Sequence, residues 1–167
     1  MAIKRDILVD KLFDQRFYNT MYISKADEEK ANAEHVDMMV ELLCDSKYKS
    51  SRQEIFNFLK KEPKAVELLM RGIVEAKGDK KALVAACWES NIDCTRFLPL
   101  FAEIVIRDNF EIAMEAITVI EQITGDVTPQ QANELMAKVK ENFTAQSETP
   151  KAALLLELVE LLNRWVQ

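Results

Sequence analysis

The sequence is short of the residues that break a chain into turns, with 3 glycines and 4 prolines among 167 positions. Tight β-turns and flexible linkers draw on both residues, so this composition argues against a turn-rich β fold or a long disordered linker. A single histidine, His35, rules out paired-histidine catalysis and most metal sites. It follows Glu34 directly, so the Glu-x-x-His pattern of di-iron bundles is missing. On one helix, Cys44 would lie about 180° around the axis from His35, too far for a Cys/His dyad. Gly72, Gly78 and Gly125 are too widely spaced to cradle a phosphate. Cys44, Cys87 and Cys94 are odd in number and lack metal-ligand spacing, and they read as buried thiols in a reducing compartment. The expected location is therefore cytoplasmic. No uncharged apolar run approaches the roughly 18 residues of a membrane span. Asp6 and Asp10 interrupt the N-terminal apolar positions that a secretory signal requires. Neither a cofactor, a metal nor a membrane contact is expected.

What is present is 49% hydrophobic and 30% charged residues, with Ala, Leu, Glu and Lys dominating the periodic stretches. The length suits one domain spanning 1–167, and the composition predicts an all-α class. Ile3, Ile7, Leu8, Leu12 and Phe13 predict an amphipathic helix over 3–17, followed by a loop from Asn19 to Ser24. A second helix is expected from Ala26 to Leu43, ahead of a break from Cys44 to Ser50. Ser51 with Glu54 fits a capping box ahead of Ile55, Phe56, Phe58 and Leu59. Pro63 suits the first position of the next helix, Gly72 marks a close helix crossing, and Gly78 is placed as a left-handed stop. Further on, Gly125 is expected to end a helix, and Thr128, Pro129 and Gln131 to start one through reciprocal capping. Leu135, Met136, Val139 and Phe143 then point inward. The last helix begins at Thr149 and Pro150 and carries Leu154, Leu158, Leu161, Leu162 and Trp165 on one side.

Sliding the chain on itself by thirty positions places Ala82, Ala86 and Cys87 on Ile112, Ala116 and Ile117, and Val74 on Ile104. Ile112, Ala116, Val119, Ile120 and Ile123 form one helical stripe, and a shift of 42 places them on the apolar stripe of the last helix. The helix before them, from Phe97 to Ile106, is too apolar for a surface position. Three hairpins result from about residue 63 onward, preceded by helices over 1–62 that would cap the open end.

Leu98-Pro99-Leu100 opens one helix, Asp108 marks the turn, and Glu111-Ile112 with Ala116 and Val119-Ile120 forms the next, so that residues 97–123 resemble a HEAT repeat. The resemblance implies an αα-superhelix, a HEAT/ARM-like solenoid of stacked hairpins that binds other macromolecules on its concave face. Ala113 departs from the arginine common in the family, and a thirty-residue spacing is shorter than the usual ~40–47 residues. An armadillo-like superhelix and an ordinary helical bundle are the alternatives.

Charge is sorted along the chain. Residues 1–46 hold 6 basic and 10 acidic side chains, residues 47–81 hold 10 and 5, and residues 82–167 hold 6 and 13. If the second helix of each hairpin lines the concave face, as the resemblance implies, its outward stripe is Glu111, Glu115, Thr118 and Gln122. The repeat shifts carry this stripe onto Glu157, Glu160 and Arg164 in one direction and onto Lys81 and Trp88 in the other. These nine residues are the candidate partner-binding set. They predict a non-enzymatic binding or scaffold module that takes a basic or amphipathic protein segment, with Trp88 as an aromatic anchor. The alternative is nucleic-acid binding through segment 47–81, using Lys47, Lys49, Arg52, Lys60, Lys61 and Lys64 with Tyr48 and Phe58 for stacking. A carboxylate-based hydrolase is a third reading. A homodimer would follow if the terminal helices leave apolar surface open.

Overall fold

The computed structural model describes residues 2–143 and 149–167. Among them the chain is all-α, with no strand. The helices are α1 (Ala2–Leu12), α2 (Gln15–Asn19), α3 (Lys25–Cys44), α4 (Arg52–Lys61), α5 (Pro63–Val74), α6 (Lys80–Glu89), α7 (Leu98–Arg107), α8 (Phe110–Glu121), α9 (Pro129–Phe143) and α10 (Lys151–Asn163). Short 3-10 turns occupy Ser46–Ser51 and Thr95–Phe97. The contacts gather into two compact units, Met1–Ser90 and Asn91–Gln167. The division expected near residue 62 falls inside the first of them.

In the first unit α3 is the element that the others share. It packs against α1, α5, α6 and the first 3-10 turn. Ser24 starts it by accepting the Asp27 N–H at 3.2 Å, and Val36, Met39, Leu42 and Leu43 are its buried face. α5 crosses α3 at Gly72, where a Cβ would come within 3.3 Å of Val40 Cγ2 and 3.6 Å of Val36 Cγ1. The close crossing expected at Gly72 is therefore formed, and α6 closes over it with Leu83. Pro63 opens α5 as expected, behind Glu62, whose carboxylate accepts the Lys64 N–H at 3.3 Å.

Three local expectations are corrected. The first helix stops at Leu12, because Asp14 accepts the Arg16 N–H and starts α2 while Phe13 turns onto Phe58, with ring centroids 4.6 Å apart. The packing expected of Ile3 lies outside the described residues. The capping box at Ser51 does not form, since the 3-10 turn runs straight into α4 and leaves Ser51 itself helical at φ −93°, its buried hydroxyl without a hydrogen bond. The left-handed stop of α5 is Ala76, at φ 52°, not Gly78. There the Ala76 N–H reaches the Ile73 carbonyl and the Lys77 N–H the Gly72 carbonyl, both at 3.1 Å, which satisfies two carbonyls of the helix end. Gly78 is left-handed as well, at φ 60°, and a second constraint requires glycine there: a Cβ would lie 2.5 Å from Val40 Cγ1.

In the second unit α7 doubles back into α8 through Asp108 and Asn109, and Asn109 accepts the Ile112 N–H at 3.1 Å. Asp79 caps α6 in the same way thirty residues earlier, accepting the Ala82 N–H at 3.3 Å, so the thirty-residue shift brings two helix starts into register. α9 and α10 form the next pair, with α9 beside α7 and α10 beside α8. The reciprocal cap at the start of α9 is present: Thr128 Oγ1 accepts the Gln131 N–H at 3.2 Å, and Gln131 Oε1 accepts the Thr128 N–H at 3.1 Å. Leu135, Met136, Val139, Leu154, Leu158 and Leu162 are buried as expected, while Phe143, Leu161 and Trp165 are half-buried. Gly125 does not end a helix as expected, since α8 stops at Glu121 with Gln122 as its cap. Its lack of a side chain serves a close approach, since a Cβ would clash with the Thr95 side chain.

An alanine in the left-handed region carries strain that glycine does not. Ala76→Gly should therefore raise stability by about 0.5–1 kcal/mol in urea unfolding. Gly78→Ala combines backbone strain with the clash on Val40 and should lower it by about 1–3 kcal/mol. A destabilised Ala76→Gly protein would show that the αL residue is not under strain.

Candidate functional site

The helical geometry of α8 sorts its side chains into two arcs. Ala113, Ala116, Val119 and Ile120 are buried, while Phe110, Glu111, Met114, Glu121 and the following Gln122 are exposed, with Glu115 and Thr118 half-buried between them. α8 contains no basic residue. Its outward arc carries two large apolar side chains that the core does not use, Phe110 at 41% and Met114 at 47% exposure. They are one turn apart, and the Thr118 hydroxyl donates to the Met114 carbonyl at 3.1 Å. The sequence periodicity assigns neither residue to a face, yet the helical spacing that identifies Glu111 and Thr118 as outward places Phe110 and Met114 beside them.

α10 lies next to α8 and runs in the same direction, tied at both ends. At its start, Lys151 Nζ donates to the Ile106 carbonyl at 2.7 Å and to the Asp108 carbonyl, covering the electronegative end of α7. Past its other end, Arg164 donates to the Ile120 carbonyl at 3.2 Å and the Glu121 carbonyl at 3.5 Å, and to its own Leu161 carbonyl at 3.2 Å. The 43 residues from Asp108 to Lys151 and from Glu121 to Arg164 lie close to the 42-residue shift read from the sequence. Burial lowers the Lys151 ammonium below its ordinary value, and neighbouring Asp108 opposes this.

The candidate residues fall into two groups. Glu111, Glu115, Thr118 and Gln122 on α8, with Glu157, Glu160 and Arg164 on or just past α10, belong to the second unit. Lys81 and Trp88, both half-buried on α6, belong to the first. Arg164 is committed to helix carbonyls, with its guanidinium 4.7 Å from the Trp165 ring centroid. The adjoining helices therefore carry Glu111, Glu115, Glu121, Glu157 and Glu160, while their two cations, Lys151 and Arg164, are turned onto backbone carbonyls.

The basic segment of the first unit is extensively ion-paired. Lys47 meets Asp45 at 2.6 Å, Arg52 meets Glu89 at 2.6 Å, Lys77 meets Asp37 at 2.6 Å, and Arg71 bridges Glu29 and Glu75. Tyr48 and Phe58, expected as stacking residues, are 3% and 9% exposed, so neither offers a face to a base.

The same unit holds a cleft of about 430 Å³ between α1, α2 and α3, with Leu8, Phe17, His35 and Met38 in its walls. The imidazole of His35 stacks on Phe17, with centroids 3.3 Å apart and planes 8° from parallel, and Lys64 Nζ lies 4.6 Å from the same ring. Nδ1 is 3.1 Å from the Ala31 carbonyl, while Nε2 is buried without a hydrogen bond. No serine, threonine or cysteine is among the cleft residues, so His35 has no hydroxyl or thiol there to activate. Asp14 and Asp37 in the same wall are paired with Arg16 and Lys77. Among the described residues no group of three or more His, Cys, Asp or Glu side chains converges to hold a metal ion. Nor is any helix among them long and apolar enough to cross a membrane.

No protein-family model, curated protein or solved structure matches the chain.

Burial holds the His35 imidazole below its ordinary value of 6.5; the Ala31 and Lys11 backbone and Glu34 oppose this, and Lys64 adds to it. The unfolded chain therefore binds the proton first as pH falls through 6.5, and the folded state loses stability in that direction. Urea unfolding should show lower stability at about pH 5.5 than at about pH 7.5, and His35→Leu should remove most of that difference. An equal loss in the variant would assign the effect to other groups.

Proposed function

We propose that the chain is a non-enzymatic protein-binding or scaffold module, built as a short HEAT/ARM-like solenoid, whose binding face is the layer of α8 and α10. The observation that carries this reading is the placement of charge. Residues 1–90 hold 16 basic and 16 acidic side chains, whereas residues 91–167 hold 6 and 12, so the whole net charge of −6 belongs to the second unit. A surface with that bias attracts cationic partners and speeds their encounter. The side-by-side, same-direction arrangement of α8 and α10 supports stacked hairpins as the architecture.

Nucleic-acid binding through 47–81 has less support. Four of its basic groups are ion-paired within the chain, and its two proposed stacking residues are buried.

Reversing Glu111, Glu115, Glu157 and Glu160 to lysine should leave helix content and thermal unfolding nearly unchanged while lowering capture of a cytosolic protein partner by tenfold or more, on the order of 1.4 kcal/mol. The check is a tagged pull-down beside the reversed variant, read by mass spectrometry. Equal capture by both proteins removes this face from the reading, and nuclease-sensitive capture would support the basic segment instead.

A further inference from the structure

We infer that the cleft between α1, α2 and α3 is a binding site for a free α-amino acid with a large apolar side chain, its ammonium group held by Glu34 and its carboxylate by Lys11. The cleft lies wholly in the first unit. It adds a small-molecule site to the chain and does not depend on the face formed by α8 and α10.

Each helix around the cleft brings one apolar and one charged side chain to it, a single turn apart. Leu8 and Lys11 stand on α1, Asp14 and Phe17 at the cap and in the body of α2, and Glu34 and Met38 on α3. Residues three or four apart share one side of a helix, so every wall presents both kinds of group. Leu8, Phe17 and Met38 are half-buried, and the core leaves part of their apolar surface open. At about 430 Å³ the cleft is within the range of small-molecule sites, roughly 300–1,000 Å³.

The neighbours of Phe17 determine which apolar group fits. The His35 imidazole covers one face of the ring, and Lys64 Nζ stands over the other at 4.6 Å. The ring edge is left for the cleft. That edge carries the positive end of the ring quadrupole, and the Met38 thioether makes favourable contacts with aromatic rings. An aromatic side chain on the ligand suits both walls.

The charges determine the rest of the ligand. Asp14 is paired with Arg16 at 2.7 Å, and Asp37 with Lys77 at 2.6 Å. Lys11 and Glu34 are exposed, and among the described residues their side chains make no ion pair or hydrogen bond; Glu34 acts on His35 through its charge alone. One uncommitted cation on α1 and one uncommitted anion on α3 therefore border the same apolar floor. An amine alone would meet Glu34 and strip water from Lys11 without replacing it, and a carboxylate alone would do the reverse. An α-amino acid carries both charges on one carbon, with its side chain beside them. It satisfies both rims and the floor together. His35 does not compete for these groups, because Nδ1 is turned to the Ala31 carbonyl and Nε2 is buried.

The test titrates the full chain with L-phenylalanine, read by calorimetry and by the imidazole NMR signal of His35, the one histidine of the chain. Three controls each lack one recognised group: phenylalaninamide the carboxylate, N-acetyl-phenylalanine the ammonium, and glycine the apolar side chain. L-phenylalanine should move the His35 signal and bind about tenfold more tightly than each control. Glu34→Gln should weaken phenylalanine by about tenfold and erase its advantage over the acetylated form, and Lys11→Gln should erase its advantage over the amide. Thermal unfolding should stay nearly unchanged in both variants, since neither side chain is buried or paired. A purely structural role for either residue would not move the two selectivities separately.

Equal binding of all four compounds, a His35 signal that stays in place, or variants that lower every affinity alike overturns the inference. The amide binding as tightly as phenylalanine would make this a site for amines, and the acetylated form doing so would make it a site for carboxylic acids. Either result overturns it. So does the absence of binding by any of the four at millimolar concentration, which would leave Lys11 and Glu34 as solvated surface charges. None of these outcomes bears on the protein-binding reading, which is decided by the four-glutamate reversal.

Discussion

The first unit depends on one contact, the crossing of α5 over α3 at Gly72. Val36 and Val40 of α3 lie within van der Waals reach of where a Cβ would be, and Leu83 of α6 closes the third side at 3.7 Å. Three helices converge on that point because a missing side chain lets two backbones approach. None of them is long enough to be stable alone in water, where isolated helices shorter than roughly 12–15 residues are marginal, apart from α3 itself. Packing must supply what length does not. The buried faces of α1, α4 and α6 complete the shell, with Leu12, Ile55, Leu59 and Leu83 fully or almost fully buried. The turn after α5 passes close under Val40 and Cys44, which leaves no room for a side chain at Gly78.

The second unit uses a different device. Lys151 and Arg164 hold the two ends of α10 to carbonyls at the ends of α7 and α8, so a parallel pair of helices is held in register by charge-assisted hydrogen bonds and not by a loop. Both cations stand at helix C-termini, where the aligned peptide dipoles favour positive charge. The same commitment leaves the outward layer dominated by carboxylates. A structural role for the basic groups thus produces the electrostatic character of the surface.

Much of this was legible in the sequence wherever a signal was local. Pro63 and the Thr128, Pro129, Gln131 trio act through neighbours within three residues, and each forms as expected. Gly72 was legible because an interior helical glycine has little reason to exist except close approach. Ser51, Gly78 and Gly125 carried similar letters and different outcomes. Ser51 was overridden by a 3-10 turn continuous with the helix, Gly78 by an alanine two residues earlier that takes the stop, and Gly125 by the side chain of Thr95, thirty residues away. On the candidate face, spacing alone placed Glu111 and Gln122 outward. It did not find the role of Arg164, which depends on carbonyls 43 and 44 residues distant, nor Phe110 and Met114, which lie on neither of the two stripes that the spacing picked out. Periodicity tells which side a residue is on, and only the filled core tells which apolar residues are left over.

The separation of charge between the two units also bears on solubility. A folded unit with equal numbers of acidic and basic groups has no long-range repulsion from its own copies near neutral pH, and proteins in that state associate and precipitate more readily. Residues 1–90 are in that position, and they expose Met21 and Ile23 almost completely. Residues 91–167 carry the surplus of six negative charges on the same chain. Being covalently joined to it, the second unit gives every copy of the chain the same net charge of −6, a like-charge repulsion that the neutral unit would lack by itself.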